Sequence, residues 1–282
     1  MADLDHSVHV PSADPQVLTA RSGRVKDARA LLMPKHRRDR GQFLAEGPQA
    51  VREAVTSGVV AHVLVDPAVA GRRADLLDAA RAGGIPVHLV EPGALATLTT
   101  AQSPQGIVAV CHWDTRTLAD LLEDLAEGNG QLVLAHELAD PGNAGAVIRV
   151  ADAAGAVGVA FTDGSVDPTN PKSVRATAGS LFHVPVVAAG PTLAAVRMLR
   201  SAGWRTLATD VTKESVDLFA AEAEGLLGGR VAWVLGNEAH GLPADVLAGV
   251  DAVVRIPILG QAESLNLATA AAVCLYAYAR LA

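Results

Sequence analysis

Cysteine and aromatic residues are scarce in this chain. Its 282 residues include only two cysteines, Cys111 and Cys274, and aromatic residues make up 3% of the total. Two cysteines this far apart match no metal-binding or redox spacing, so we expect two buried, reduced thiols, as in a cytoplasmic protein, and no metal site. With few aromatic rings, the core must be built mainly from alanine, valine and leucine.

The sequence also lacks a segment typical of export or membrane insertion. Its first 15 residues are acidic and contain no apolar stretch, which argues against a signal peptide. The most apolar segment, residues 265–282, contains Asn266 and Thr269 and is rich in alanine. We therefore expect it to form a buried core helix rather than a membrane span. The predicted location is cytoplasmic, without membrane association.

Positive charge is unevenly distributed along the chain. The net charge is −7, yet eight lysines and arginines lie between Arg21 and Arg40, against two aspartates. Such a basic block on an acidic protein is either a local nucleic-acid contact surface or a solvated helix face. Charge alone favours the solvated face.

Two α/β units are predicted after an N-terminal tail. Residues 1–18 are expected to be a disordered tail, and residues 19–112 alternate short strand and helix patterns typical of a small α/β domain. Within that domain, residues 25–55 predict two helices around a turn at Gly41. Residues 113–129 predict a linker helix that ends in a glycine- and asparagine-rich stop.

The second unit, residues 130–282, alternates apolar runs of four to six residues with helical stretches. This pattern is typical of a mostly parallel sheet with helices on both faces. One of the expected strands runs from Val253 to Leu259. Ligands of such sheets bind at the carboxyl ends of the strands. Polar residues that follow three of these strands are therefore the candidate site residues.

The first of these strand ends is LADPGNAGAVIRVADAAG, residues 138–155. Asn143 follows an Asp-Pro-Gly turn and can cap the next helix, while Arg149 lies six residues further along. Alone, the segment indicates a capped helix with a surface arginine. It contains no G-x-G-x-x-G motif for a dinucleotide.

The second strand end is VLGNEAHGL, residues 234–242. Gly236 either permits a positive φ or lets a ligand approach the backbone closely. Glu238 and His240 do not have a spacing typical of zinc ligands. A single glutamate in such a loop is more often structural than catalytic.

The third strand end is IPILGQAESLNLATAAAVCLY, residues 256–276. Ser264 is a candidate N-cap of the final helix, with Asn266 inside its first turn. An asparagine inside an apolar helix is unusual, because it competes for backbone hydrogen bonds and buries an amide.

Together, in this order and near these spacings, the three segments resemble the three motifs of the SpoU (TrmH-type) RNA ribose 2′-O-methyltransferases of the SPOUT superfamily. Asn143, Gly145 and Arg149 match the first motif, and Ser-Leu-Asn in the third is the most specific marker. In the first unit, GQFLAEGPQAVREAV and SPQGIVAV are similar to the L30e-like substrate-binding domain of rRNA-modifying members. The chain departs from many relatives at Ala135-His136, where they have Leu-Asp.

The resemblance implies an α/β SPOUT domain with a C-terminal trefoil knot, preceded by a smaller L30e-like domain. It also implies that the knot binds S-adenosylmethionine and that the chain forms a homodimer, in which Arg149 reaches a site of the other subunit. The cofactor contacts carried over from the family are Gly236, Ile256, Leu265, Leu235, Ala208 and Thr209.

The implied reaction is methyl transfer to a ribose 2′-hydroxyl of RNA. The catalytic residues carried over are Asn143, Arg149, Glu238, Ser264 and Asn266. Our hypothesis for Arg149 is phosphate binding and stabilisation of the developing alkoxide, because a guanidinium is normally always charged. The other four would position the ribose and Arg149.

RNA contacts are predicted in the basic stretch, at Arg37, Arg38 and Arg40, with Phe43 as a candidate for base stacking. The two-domain layout favours a nucleotide of 23S rRNA as the target. The alternatives are a tRNA ribose 2′-O-methyltransferase and a catalytically silent RNA-binding protein. A base-methylating SPOUT enzyme is disfavoured by the Ser-Leu-Asn run, and a small-ligand enzyme leaves the basic stretch unexplained.

Overall fold

The structure is a computed structural model that describes residues 17–125, 127–211 and 215–281. The predicted tail therefore lies outside the described residues up to residue 16. Leu18, which the sequence assigned to the tail, is instead paired with a strand edge. Its amide donates to the carbonyl of Leu89 at 2.8 Å, and its carbonyl accepts from the amide of Glu91 at 2.9 Å.

The N-terminal unit is built on a small mixed sheet. Its strands are β1 (Gln42–Glu46), β2 (Val60–Val65), β3 (Val87–Leu89) and β4 (Ile107–His112). The four strands lie in the order β1-β4-β2-β3, with β4 antiparallel to both of its neighbours and β2 parallel to β3. The helices of this unit are α1 (Gly23–Ala30), α2 (Pro34–Arg40), α3 (Pro48–Thr56), α4 (Pro67–Ala70), α5 (Ala74–Ala82) and α6 (Pro92–Ala96), with a 3-10 turn at Gly71–Arg73.

The prediction of two helices around Gly41 is wrong in its details. Pro34 begins a separate helix, α2, because proline is tolerated in the first turn of a helix but not in its interior. Gly41 ends α2 with φ 57°, and the chain then enters strand β1 rather than a helix. The only apolar residues of β1 are Phe43 to Ala45, a run too short to distinguish a strand from a helix by pattern.

The second unit contains a larger sheet, preceded by α7 (Leu118–Asp124), which lies within the predicted linker helix. The strands are β5 (Gly130–Ala135), β6 (Gly158–Thr162), β7 (Val186–Gly190), β8 (Arg205–Thr209), β9 (Val216–Asp217), β10 (Arg230–Leu235) and β11 (Ala252–Arg255). The seven strands have the order β7-β6-β5-β10-β8-β11-β9, and every pairing between them is parallel. The predicted fold class is confirmed.

Helices cover both faces of the larger sheet. They are α8 (Pro141–Ala153), α9 (Pro171–Thr177), α10 (Thr192–Ser201), α11 (Leu218–Ala223), α12 (Ala244–Gly249) and α13 (Leu267–Ala279), with a 3-10 turn at Ser180–Phe182. In β10, Val231 and Trp233 pack in the core that contains α8, α11 and α13, while Ala232 and Val234 pack in the core that contains α7, α10 and α12. Successive strand residues thus face opposite layers. The trefoil knot stays a prediction.

The two units share one apolar core. Phe43 of β1 packs against Trp113, with ring centroids 5.7 Å apart, and stacks on Phe182 of the second unit at 6.0 Å. Cys111 and Cys274 are both free and buried in this core, where burial raises the pKa of each thiol. The prediction of two buried thiols is confirmed. Within the described residues, no helix is long and apolar enough to cross a membrane.

Candidate active site

The three segments singled out in the sequence meet at the carboxyl edge of the larger sheet. Asn143 Nδ2 donates to Glu238 Oε1 at 3.0 Å, and Asn266 Nδ2 donates to Asn143 Oδ1 at 3.0 Å. These residues follow β5, β10 and β11, and the two hydrogen bonds join positions that are 95 and 123 residues apart in the sequence. The fold therefore joins them in one hydrogen-bonded chain.

Glu238 is held as a carboxylate at one end of this hydrogen-bonded chain. The backbone amides of Ala139 and Asp140 also donate to its two oxygens, each at 3.3 Å. Burial acts to raise the pKa of Glu238, but the hydrogen bonds from Asn143 and the backbone outweigh it and hold the pKa below its usual range. An ionised Glu238 is a hydrogen-bond acceptor only, so it can orient a hydroxyl group by accepting a hydrogen bond from it.

A tight turn carries Glu238. The backbone groups of Asn237 and Gly241 pair in both directions, at 3.0 and 2.9 Å, and Asn237 Nδ2 donates to the carbonyl of Glu137 at 2.7 Å. A Cβ atom at Gly236 would lie 2.7 Å from the carbonyl carbon of Gly241. Glycine is therefore required at position 236 by the turn itself.

The two helix caps near the site differ from the predicted ones. The N-cap of α8 is Asp140, whose Oδ1 accepts from the backbone amide of Asn143 at 2.8 Å. The side chain of Asn143 is therefore free to reach Glu238 and Asn266. The N-cap of α13 is Asn266, whose Oδ1 accepts from the amide of Ala268 at 2.9 Å. Ser264 lies before the cap and is exposed. Asn266 is thus at a helix end, where its side-chain amide competes with no hydrogen bond of the helix.

Gly145, in the first motif, has a packing role. A Cβ atom there would lie 2.4 Å from the carbonyl oxygen of Ser173 and 2.5 Å from the Cβ of Ala176, because α8 and α9 cross closely at this point. Glycine at position 145 therefore fixes how α8 sits on α9, and with it the position of Asn143.

A cavity of about 470 Å³ opens beside the hydrogen-bonded chain. Strand β11 ends at Arg255, so the predicted strand from Val253 to Leu259 is wrong in its second half. Pro257 has no amide hydrogen for a strand pairing. Ile256 and Ile258 leave the sheet and line the cavity, while Leu259 is 95% exposed.

Most of the predicted site residues line this cavity. They are Asn143, Thr209, Gly236, Glu238, Ile256, Ser264, Leu265 and Asn266. Leu235 and Ala208 do not: both are buried inside β10 and β8, with their side chains in the core. Asp210, Val211, Arg255 and Glu263 line the cavity but were missed in the sequence. Asp210 directly follows β8, so the rule that ligands bind at strand ends would have identified it.

Arg149 lies apart from the other predicted catalytic residues of the same chain. Six residues along α8 from Asn143, it is displaced by about 9 Å along the axis and about 120° around it. It is exposed and does not line the cavity. Within the described part of the chain, its guanidinium group makes no hydrogen bond or ion pair.

The predicted RNA contacts at Arg37 and Phe43 need correction. Arg37 is only 3% exposed; it pairs with Asp167 of the second unit at 2.7 Å and donates to the carbonyls of Leu31 and Leu32. Phe43 is 1% exposed. Both residues hold the two units together, so neither can contact RNA directly.

The other two predicted RNA contacts are on the surface. Arg38 is exposed. Arg40 is exposed too, and its guanidinium pairs with Asp27 at 3.2 Å. Both positions thus remain candidates for phosphate contact.

Comparisons with known proteins match both units of the chain. The model of the SpoU rRNA Methylase family matches residues 130–276, and the model of the MRM3-like substrate binding domain matches residues 23–109. The chain is 33% identical, over 263 residues, to the 23S rRNA (guanosine(2553)-2′-O)-methyltransferase RlmP of Bacillus subtilis (strain 168). That alignment covers 93% of this chain and 98% of the relative.

Two solved structures are similar over nearly the whole chain. The AdoMet-bound rRNA methyltransferase from Sinorhizobium meliloti has a TM-score of 0.81 and 32% identity, covering 94% of this chain and 97% of the other. The SpoU methyltransferase AviRb from Streptomyces viridochromogenes, in complex with AdoMet, has a TM-score of 0.79 and 30% identity, covering 93% and 98%.

Proposed function

The chain belongs to the SpoU rRNA methylase family, and on this basis we propose that it transfers the methyl group of S-adenosylmethionine to a ribose 2′-hydroxyl of 23S rRNA. The observation that carries this proposal is the hydrogen-bonded chain of Glu238, Asn143 and Asn266 at the mouth of the cavity. A cytoplasmic location is proposed along with this substrate.

The cavity suits S-adenosylmethionine. About 470 Å³ is within the range of small-molecule sites, and its walls combine apolar side chains with a tight backbone turn. Ile256 and Leu265 would contact the adenine, while the backbone at Gly236 and Thr209 would hold its polar edges. Leu235 and Ala208 would contribute through the backbone only. When bound, the cofactor supplies an electrophilic methyl group on a sulfonium.

The residues around the cavity would align and activate the ribose. Ionised Glu238 accepts a hydrogen bond from a ribose hydroxyl, and Asn143 and Asn266 fix the direction of that carboxylate. Ser264, exposed at the cavity rim, supplies a further hydroxyl to the ribose. Correct alignment of oxygen, carbon and sulfur contributes much of the rate enhancement in such a transfer.

Arg149 would act on a site of a second subunit. Within one chain it points away from the cavity, and it is exposed without a partner among the described residues. On α13, Tyr276 is 54% exposed and donates to the carbonyl of Ala153, next to Arg149 on α8. We therefore propose a homodimer through this α8–α13 surface, in which Arg149 binds a phosphate and stabilises the developing alkoxide.

The N-terminal unit would dock the RNA. We propose that residues 19–112 form the substrate-binding domain, residues 113–129 the linker, and residues 130–282 the methyltransferase domain. Within the basic stretch, residues 21–40, the exposed cations are Arg21, Arg24, Lys26, Arg29, Lys35, Arg38 and Arg40. They would contact phosphates, which gives an affinity that falls with salt.

Methyl transfer to purified RNA tests this function. The full chain is incubated with labelled S-adenosylmethionine and unmodified 23S rRNA, 16S rRNA or tRNA, and the nucleosides are identified by mass spectrometry. We expect a single 2′-O-methylated nucleoside in 23S rRNA. Label on tRNA alone would favour the tRNA alternative, methylated bases would contradict the ribose assignment, and cofactor binding without transfer would indicate a silent protein.

The homodimer is tested by mixing two inactive variants, Arg149→Ala and Glu238→Ala, and letting the subunits exchange. If Arg149 serves the partner's site, half of the dimers are mixed and each has one intact site, so about a quarter of the wild-type activity returns. No recovery despite exchange would place both residues in the same subunit.

A further inference from the structure

Glu137 has an unusual backbone conformation at the end of β5. Its φ is 43°, in the left-handed region that residues other than glycine rarely adopt. Its amide donates to Thr162 Oγ1 at 2.9 Å and its carbonyl accepts from Asn237 Nδ2 at 2.7 Å. Strain of this kind persists where surrounding contacts impose it, and it concentrates at functional sites.

The neighbouring loop leaves room for the Glu137 side chain. Its Cγ and Cδ atoms lie 3.1 and 3.5 Å from where a Cβ atom of Gly164 would be. The carboxylate is exposed, and among the described residues no side chain or amide donates to it. The fold thus fixes the stem of Glu137 but leaves its carboxylate without a partner.

Glu137 is one of the residues that line a second cavity, which is distinct from the cofactor cavity. The recess has a volume of about 330 Å³, and its other lining residues are His136, Asn237, His240, Gly241 and Pro243. Asn237 and Gly241 also line the 470 Å³ cavity, so the turn that carries Glu238 is the wall between the two.

The position of the recess identifies its occupant. If Glu238 orients the ribose of the target nucleoside, the attached base must lie in space that adjoins Glu238. The recess adjoins it through Asn237, whose backbone precedes Glu238 and whose side chain holds Glu137. A base bound there would meet the free carboxylate of Glu137 and the exposed imidazole of His240.

A carboxylate distinguishes the four bases by their Watson–Crick edges. An ionised glutamate accepts hydrogen bonds and donates none. Guanine presents two adjacent donors, N1–H and N2–H₂, which one carboxylate can accept together. Adenine, cytosine and uracil each present an acceptor next to their donor, and that acceptor would face a carboxylate oxygen. We propose that Glu137 binds the Watson–Crick edge of the target base and selects guanine; this rests on the proposed RNA 2′-O-methyltransferase activity.

The first test compares Glu137→Gln with the wild type on unmodified 23S rRNA. Glutamine keeps the shape of the side chain but places an amide NH₂ against one guanine donor. Losing a two-bond base contact lowers kcat/KM for 2′-O-methylguanosine formation by roughly 5- to 150-fold. Glu123→Gln is the matched control, because Glu123 is an exposed glutamate on α7, outside both cavities. Melting temperature and S-adenosylmethionine affinity should be unchanged in both variants.

The second test changes the RNA. Once the modified nucleotide is mapped, ligated transcripts carry guanosine or inosine at that position; inosine lacks the N2 amino group. The wild type should lose about tenfold in kcat/KM on inosine, and Glu137→Gln should lose little, because its contact is already broken.

Three results would overturn the proposal: a mapped target other than guanosine, an unchanged rate for Glu137→Gln, or the same inosine penalty in both enzymes. If the wild type methylates no RNA ribose at all, the proposed function itself fails, which is a different result from any of these.

Discussion

The interface between the two units is rich in polar side chains, and so is the crevice at the sheet edge, formed by the 470 Å³ cavity and the 330 Å³ recess. The polar side chains have different partners in the two regions. At the interface, charged groups are paired across the two units: Arg37 with Asp167, Arg175 with Glu46, and His183 with Glu53. His183 also contacts Asp152 of its own unit. These pairs lie around a shared apolar core. The charged groups of these interface pairs therefore satisfy one another.

In the crevice, by contrast, side chains orient one another and leave atoms facing open space. Asn266 holds Asn143, which in turn holds Glu238, and Glu137 beside the second recess has a carboxylate with no partner among the described residues. Polar side chains whose hydrogen bonds and ion pairs are all made within the protein maintain its geometry. Polar side chains with unused donors or acceptors are instead available to bind a substrate.

The largest effect is expected at Arg149, whose side chain has no partner among the described residues. Arg149→Ala should lower methyl transfer by about 100- to 1,000-fold, since a charge that stabilises the transition state is lost. S-adenosylmethionine affinity, measured by calorimetry, should stay unchanged. Arg197→Ala on α10 is the matched control, because Arg197 is also an exposed helix arginine. Full activity of Arg149→Ala would contradict the proposed catalytic role of Arg149.

The next effect separates two neighbouring arginines of α2. Arg37→Ala should lower the free energy of unfolding by about 2–4 kcal/mol, because Asp167 and two carbonyls lose a buried partner. Arg38→Ala should change it by less than about 0.5 kcal/mol, but should weaken RNA binding and reduce its salt dependence. Chemical denaturation and filter binding measure the two quantities. Equal stability of both variants would contradict the structural role of Arg37.

A smaller effect distinguishes the two polar residues of the Ser-Leu-Asn run. Asn266→Ala should cost about 1 kcal/mol of stability, because Asn266 caps α13, whereas Ser264→Ala should cost almost nothing. Both variants should slow methyl transfer, Asn266→Ala more, since Asn266 also holds Asn143. A stability loss in Ser264→Ala alone would restore the cap predicted from the sequence.

The smallest effect is a pH dependence of opposite sign in the two regions. The hydrogen bond from His183 to Asp152, aided by Glu53, raises the pKa of His183 above 6.5 despite partial burial. The interface contribution is therefore complete below pH 6.5 and is lost as pH rises through the folded-state value. Because His183 is largely exposed, we expect only a few tenths of a kcal/mol.

In the crevice, the depressed pKa of Glu238 makes its contribution complete above pH 4.5 and lost as pH falls through the folded-state value. Thermal unfolding from pH 4 to 9 measures both, with His183→Gln and Glu238→Gln as variants that remove each titration. If neither variant changes the pH dependence of stability in its own pH range, the contributions of His183 and Glu238 are contradicted.

Local sequence patterns predicted the larger sheet well, and the reason is physical. Its parallel strands are buried on both faces and appear as continuous apolar runs, as in Val231–Leu235. Strand β1 was missed because its three apolar residues, Phe43 to Ala45, do not distinguish a strand from a helix, and β9 because it has only two residues. The run from Ile256 to Leu259 was mistaken for strand, since apolar residues that line a cavity have the same composition as residues that pair in a sheet.

The candidate site was only partly predictable. The family resemblance identified Asn143, Glu238 and Asn266, but not that Asp140 is the cap that frees the Asn143 side chain. Arg37 and Arg38 are adjacent and identical in chemistry, and no local pattern tells which one is buried. Glu137 carries no motif at all; only its φ and the recess beside it single it out.

The alternation of strands and helices, and with it the parallel sheet, was predictable from sequence because it depends on short-range periodicity and local backbone preferences. The same holds for the kinds of side chain at the strand ends. Only the tertiary structure decided which of those side chains face each other, which arginine is sealed between the units, and which carboxylate stays free. Those outcomes depend on contacts between residues about 100 positions apart, such as Asn143 with Glu238, and no local pattern encodes them.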